Sequence, residues 1–191
     1  MFTYKNIVAV TDRKLCVRPF PEQIRRICER QPAALVLREK DLAPEEYREL
    51  AEQVMEICRK YQVKCILHHF PETARSLGAG RIHLPLRKLL ELGKEEKAGF
   101  DGIGTSVHSP EQTRQALEAG AAWLFAGHIY DSQCKPGIPP RGLDFLRKIC
   151  VLADPVPVYA IGGIRRDEEQ LREVLSCGAA GACMMSEMMR L

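Results

Sequence analysis

The chain reads as an α/β protein, a (β/α)8 TIM barrel with a truncated eighth helix, and three observations predict that architecture. Short, mostly apolar runs of three to six residues recur eight times along the 191 residues, as strands of a parallel sheet covered on both faces do. Between them lie segments whose apolar residues return every three or four positions, the period of an amphipathic helix. Three of these segments end alike, at Leu77-Gly-Ala-Gly, Ala119-Gly-Ala-Ala and Cys177-Gly-Ala-Ala, where glycine closes a helix just before a strand opens. Eight such units make a barrel; an open flavodoxin-like sheet is the other architecture that fits the pattern.

Ile7-Val-Ala-Val10 is the first strand and ends at Thr11-Asp12. Phe20, Ile24, Ile27 and Cys28 then share one helical face. Ala34-Leu-Val-Leu37 is the second strand and runs into Arg38-Glu-Lys-Asp41. Pro44 suits a first helical position, where a missing N–H costs nothing, and Tyr47, Leu50, Ala51, Val54, Cys58 and Tyr61 follow at helical spacing. Cys65-Ile-Leu67 is the third strand, leading to His68-His69. A short helix ends at Gly78, and Ile82-His-Leu84 is the fourth strand. A charged segment precedes the fifth, Gly102-Ile-Gly-Thr-Ser-Val107. Ser109-Pro-Glu-Gln112 has the spacing of a capping box with proline at the first helical position. After Gly120 come the strand Ala122–Ala126, a helix over Leu143–Leu152 and the seventh strand, Val156–Ile161. Asp167-Glu-Glu-Gln170 repeats the capping-box spacing, and Gly181–Met185 is the eighth strand. Ser186–Leu191 offers barely one further turn. So short an eighth helix is expected to leave an apolar groove for a second subunit, which makes a homodimer the expected assembly.

At 46% hydrophobic, the chain has the apolar material for a full core, and a single domain over residues 1–191 is expected. The net charge is +3, and the cations come in pairs (Arg13-Lys14, Arg87-Lys88, Arg165-Arg166) rather than runs. That suits a small phosphorylated metabolite better than nucleic acid. The opening Met-Phe-Thr-Tyr-Lys-Asn precedes only four apolar residues, unlike a signal peptide, and no apolar run nears the roughly 20 residues that span a bilayer. The eight cysteines sit singly with no Cys-x-x-Cys, as reduced core thiols do. A cytoplasmic protein without nucleic-acid or membrane partners is expected.

The chemistry-bearing residues fall at the C-terminal ends of the predicted strands, the face on which such barrels carry their active sites. The most pointed stretch is Phe125-Ala-Gly-His-Ile-Tyr-Asp-Ser-Gln-Cys-Lys135. An apolar strand stops at Gly127, and His128, Ser132, Cys134 and Lys135 follow before Pro136-Gly137 and Pro139-Pro140 forbid regular structure. His68, His69, His83 and His108 lie at or just past other strand ends. His68 and His69 are adjacent and should alternate to opposite faces. With no His-x-His pair and few flanking carboxylates, neither a metal site nor a cofactor is expected. Gly162-Gly163 and Met185-Ser186 stand in the loops after strands seven and eight, where backbone N–H groups of these barrels hold phosphate. Simple turn closure is the plainer alternative for the two glycines, but because both loops are suited at once, phosphate binding is the favoured reading. Arg38 and Lys40 are two apart and point the same way in an extended segment. If Val36 faces inward, both enter the mouth beside Lys135, as an anion site or as a solvated cluster.

The order and spacing of Thr11-Asp12, Arg38-Glu-Lys-Asp41, Gly102-Ile-Gly-Thr-Ser-Val-His-Ser109, Ala160-Ile-Gly-Gly-Ile164 and Gly178-Ala-Ala-Gly…Met185-Ser186 resemble the thiamine phosphate synthase/TenI superfamily over nearly the whole chain. The resemblance implies a (β/α)8 barrel and one of two activities. Synthases join a thiazole phosphate to an aminopyrimidine pyrophosphate with magnesium, whereas the TenI branch aromatises a carboxylated thiazole phosphate tautomer. Where synthases carry Asn-Asp, with the Asp on magnesium, this chain has His68-His69. The second magnesium Asp is matched by Lys88, a pyrimidine-contacting Gln by Val36, and the Thr-x-Thr-Lys loop by Ser132-Gln-Cys-Lys135.

The proline of the synthases' Gly-Pro is matched by His128. Gly-His with Cys-Lys beyond it resembles the TenI tautomerases, whose acid–base is that histidine. Arg38, Lys40, Ser106 and Lys135 match the synthase pattern and are expected to bind substrate. The resemblance therefore implies a tautomerase in which His128 moves the proton. Gly162, Gly163, Met185 and Ser186 would anchor the phosphate, and a cation such as Lys135 or Arg38 would hold the carboxylate. Cys134 is read as packing. An unperturbed imidazole, with a pKa of roughly 6.5, can accept and return a proton at neutral pH. The alternatives are the coupling synthase itself and a non-catalytic regulator that binds a pathway phosphate.

Overall fold

The structure, a computed structural model, describes residues 2–132 and 136–191. Its strands are β1 (Ile7–Val10), β2 (Ala34–Leu37), β3 (Cys65–His68), β4 (Arg81–Leu84), β5 (Gly102–Val107), β6 (Trp123–Gly127), β7 (Val158–Ile161) and β8 (Gly181–Met184). They pair in chain order, all parallel, and β8 returns to β1 with Ile7 opposite Ala182. The barrel is closed, so the open sheet is excluded. Among the described residues, no helix is long and apolar enough to cross a membrane.

Alternation along each strand builds two cores. Outward side chains such as Ile7, Leu35, Leu37 and Leu124 pack under helices α1 (Phe20–Cys28), α2 (Pro44–Lys60) and α3 (Pro71–Ser76) and those that follow. Inward ones, Val8, Val10, Val36, Ile66, Trp123, Phe125 and Cys183, fill the barrel itself. Gly104 is what lets an indole lie there: a Cβ on it would sit 2.0 Å from the Trp123 ring.

The charged segment after β4 folds as two short helices, α4 (Leu86–Glu91) and α5 (Lys94–Ala98). In α6 (Pro110–Glu118), Ser109 Oγ accepts from the Gln112 N–H at 3.1 Å, the first half of the expected capping box. The second half reaches one residue further back, because Gln112 Oε1 accepts from the His108 N–H at 2.8 Å. After α7 (Gly142–Ala153), β7 starts at Val158 rather than Val156. Pro157 has no N–H for the ladder, although its carbonyl accepts from Leu124. Gly78, Gly120 and Gly178 all take positive φ after their helices, as the repeat predicts. α8 (Glu168–Ser176) is capped by Asp167.

The final helix, α9 (Ser186–Met189), is a single turn, as expected, but its own apolar side chains are covered within the chain. Met188, Met189 and Leu191 turn inward and are buried, and the Gln23 and Arg18 side chains on the α1 side donate to the Met188 and Leu191 carbonyls. A few large side chains fill the space a longer helix would occupy, leaving Val17 as the exposed apolar residue at that corner.

Candidate active site

A cavity of about 840 Å³ opens at the C-terminal ends of the strands. Arg38, Lys40, Ser106, His128, Gly162, Gly163, Met185 and Ser186 all line it, so the structure brings these predicted residues to one place. Lys135 and Cys134 lie outside the described residues.

The β1–β2 corner explains why Arg38 and Lys40 face the mouth. If residues 38 and 40 point inward, Glu39 between them must point into the packed layer outside the barrel, and it is 2% exposed. A carboxylate there needs partners. Thr11 Oγ1 donates to it at 2.7 Å, the Arg13 N–H at 3.0 Å and the Arg13 guanidinium at 3.0 Å. Arg13 also grips Asp41 through two bonds of 2.6 and 2.8 Å, which hold the Asp41 carboxyl well below the usual carboxylate range. The Arg38 N–H donates in turn to Thr11 Oγ1 at 2.9 Å. Sequence reasoning quoted Glu39 in a motif but missed this clamp; the alternation already invoked for its neighbours could have shown that Glu39 turns into the packed layer, though not which partners meet it there.

His68 and His83 also line the cavity. His69 leaves the strand with φ +80, so its ring lies 5.8 Å from His68 and nearly parallel to it rather than on the opposite face. Burial, reinforced by His83, Lys40 and Arg38, pushes the His68 imidazole down to about 2. Burial and Lys40 push His83 down to about 3. Both rings are therefore neutral at pH 7. Burial and the neighbouring Arg38 also lower Lys40.

His128 is 5% exposed and follows a cis peptide from Gly127. Its Nε2 lies 3.1 Å from the Ile138 carbonyl oxygen, which can only accept, so the Nε2 hydrogen is committed and Nδ1 is the free base of the neutral ring. His108 Nδ1 donates to the Gly127 carbonyl at 2.6 Å, steadying the peptide that carries His128. The chain beyond folds back, with the Arg141 N–H on the His128 carbonyl at 2.9 Å.

Gly162 and Gly163 have φ +95 and +70. A Cβ on Gly162 would lie 2.2 Å from His128 Cβ, and one on Gly163 2.4 Å from the Asp131 carbonyl. The pair is thus more than a turn: only glycine lets the β7 loop press against the histidine. The N–H groups of Gly163 and Ser186 have no hydrogen-bond partner among the described residues.

Lys88 Nζ donates to the His69 carbonyl at 3.0 Å and lies 3.4 Å from His69 Nε2. These two residues match the magnesium carboxylates of synthases. Magnesium takes hard oxygen ligands, whereas here an imidazole faces an ammonium, so the positions do not fit that ion. Among the described residues, no three His, Cys, Asp or Glu side chains group as metal ligands.

The barrel mouth thus holds two cations, two neutral imidazoles and a glycine-lined loop. The profile of the family TMP-TENI, described as thiamine monophosphate synthase, matches residues 7–188. The chain is 37% identical over 144 residues to a thiamine-phosphate synthase of Thermus thermophilus, covering 75% of this chain and 68% of that one. It is 32% identical over 185 residues to the thiamine-phosphate synthase of Pyrococcus furiosus, covering 96% and 86%. The solved thiamine phosphate pyrophosphorylase from Pyrococcus furiosus superposes with a TM-score of 0.83 at 29% identity, over 98% of this chain and 88% of that one. These names favour the coupling enzyme, the alternative reading of the sequence, over the tautomerase. With the profile spanning nearly every residue of the barrel, the chain belongs to the TMP-TENI family.

Proposed function

We propose that this protein acts in thiamine biosynthesis on a phosphorylated thiazole, and that its reaction is the aromatisation of the carboxylated thiazole phosphate tautomer. The observation that carries the proposal is the pairing of His128, whose Nδ1 is the free base, with the loss of both magnesium carboxylates to His69 and Lys88. Nδ1 of His128 takes the proton from the carbon bearing the carboxylate. The freed electron pair forms a double bond to the ring nitrogen, that nitrogen's former double bond shifts to the two neighbouring ring carbons, and the displaced exocyclic π pair takes the proton back from the same His128 nitrogen onto the exocyclic carbon. Atoms and charge balance without a metal or co-substrate. The Gly163 and Ser186 N–H groups would receive the phosphate, and Arg38 and Lys40 supply positive charge to the rest of the ligand.

The second reading, coupling of a thiazole phosphate to an aminopyrimidine pyrophosphate, is supported by the names of the relatives. It leaves the charge of the departing pyrophosphate to cations alone. The purified protein should aromatise the tautomer in metal-free buffer, followed by ultraviolet absorbance. Magnesium-dependent formation of thiamine phosphate, with no aromatisation of the tautomer, would instead establish the second reading. Binding of both phosphates with neither product would point to the non-catalytic regulator.

A further inference from the structure

We propose that Trp123 is a positioning residue that, through His83, fixes Ser106 as a hydrogen-bond donor to the ligand's carboxylate. The proposal rests on the reading of the cavity as the site of a carboxylated thiazole phosphate. Its basis is a chain of three side chains whose hydrogens can be placed by elimination. An indole N–H only donates, and Trp123 Nε1 lies 3.2 Å from His83 Nδ1, so that nitrogen carries no hydrogen. The neutral ring then bears its hydrogen on Nε2, which lies 2.9 Å from Ser106 Oγ. Ser106 accepts from His83, and its own O–H is left over. Among the described residues no acceptor takes it, and Ser106 opens onto the cavity.

One N–H therefore sets the polarity of a hydroxyl two residues away in the network. Without the indole hydrogen, His83 could carry its proton on Nδ1. Ser106 would then donate to Nε2 and show the ligand only lone pairs. The parts that hold the chain in place are visible. Phe125 stacks on His83 with ring centroids 4.0 Å apart, and the missing side chain of Gly104 makes room for the indole. The ligand group that meets Ser106 must be an acceptor. Arg38 and Lys40 line the same cavity as Ser106, so an anionic acceptor suits this wall. On that reading of the cavity the phosphate sits at the loops after β7 and β8, which leaves the carboxylate for this wall.

The test combines a spectrum with a binding cycle. Nitrogen-15 imidazole correlation spectra of the wild type at neutral pH should show His83 with its hydrogen on Nε2 and a bare Nδ1. Trp123→Phe, which keeps a ring and loses the N–H, should raise the Nδ1-protonated fraction. The probes are thiazole phosphate and its 2-carboxylated form, titrated calorimetrically. The wild type should prefer the carboxylated probe by about tenfold, the worth of one charge-assisted hydrogen bond. Ser106→Ala and Trp123→Phe should each lose most of that preference. A hydrogen on His83 Nδ1 in the wild type overturns the proposal whether or not any variant folds. So does a Trp123→Phe protein that keeps the full preference. Failure of the tautomerase reading has another signature: no aromatisation by the wild type, with the His83 tautomer and the carboxylate preference intact, and that result leaves the positioning role supported.

Discussion

The wall of the cavity from β2 to β5 is made of side chains, and the wall beyond β7 and β8 is built around the bare backbone of Gly162 and Gly163, flanked by Ile161, Ile164 and Met185. Arg38, Lys40, His68, His83 and Ser106 form the first, with the Arg38 backbone tied to Thr11 and His83 bonded to Ser106. Gly162, Gly163 and the start of α9 belong to the second, where a side chain on either glycine would collide with the β6 loop. His128 stands at the seam, on the β6 loop, with Gly162 pressed against its Cβ. A side-chain wall can be tuned residue by residue, whereas a backbone wall tolerates almost no substitution. The difference predicts where mutations cut deeply.

The seam itself should be the most sensitive point. His128→Asn keeps a polar side chain of similar shape but cannot shuttle a proton. It should lower turnover of the carboxylated tautomer by about 10²–10⁴-fold while thiazole phosphate binding, measured by calorimetry, survives. A variant with wild-type turnover would remove His128 from the mechanism. On the backbone wall, Gly162→Ala forces φ +95 on an alanine and drives its methyl group into His128. We expect about 2–4 kcal/mol of lost stability in urea unfolding, together with lost activity. An unchanged midpoint would mean that the loop has room the structure denies it.

On the side-chain wall, the sensitive residue is not one that touches ligand. Glu39→Ala removes the carboxylate that ties Thr11 and Arg13 to β2. Because Arg13 is partly exposed and keeps Asp41, the loss should lie near the low end for broken buried pairs, about 2–3 kcal/mol. Thiazole phosphate should bind more weakly, since Arg38 and Lys40 lose their frame. Stability lost with affinity intact would show that the clamp does not position them.

The same contrast explains what was legible in the sequence. The barrel could be read because strand runs, helical spacing and C′ glycines such as Gly120 are local signals. Every described site residue named from sequence lines the cavity, because strand ends and post-strand loops gather at one mouth whatever the detail. What escaped was long-range. Nothing local says that Glu39 meets Thr11, 28 positions away, or that Trp123 meets His83, 40 positions away. The covering of α9 escaped for a related reason: counting turns of helix ignores how much space Met188 and Met189 fill once turned inward.

The most gradual effect expected is a pH dependence carried by the side-chain wall. His68 and His83 are held at about 2 and about 3 in the folded protein, mainly by burial, to which His83, Lys40 and Arg38 add at His68 and Lys40 at His83. In the unfolded chain each should titrate near 6.5. Below that value the unfolded state takes up protons that the folded state refuses, so stability falls as pH falls. The loss begins near pH 6.5 and continues toward pH 3, at most about 1.4 kcal/mol per pH unit for each fully responding histidine. Asp41 acts in a different window. Its lowered carboxyl stabilises above the unfolded value near 3.8 and loses that contribution only below it. Urea midpoints measured between pH 7 and pH 4.5 therefore isolate the histidines. Replacing His68 with Asn should flatten that slope by up to half, because an amide fills the same position without a proton to take. A slope unaffected by the substitution would mean that water reaches His68 and that the aromatic floor of the cavity is wetter than its packing indicates.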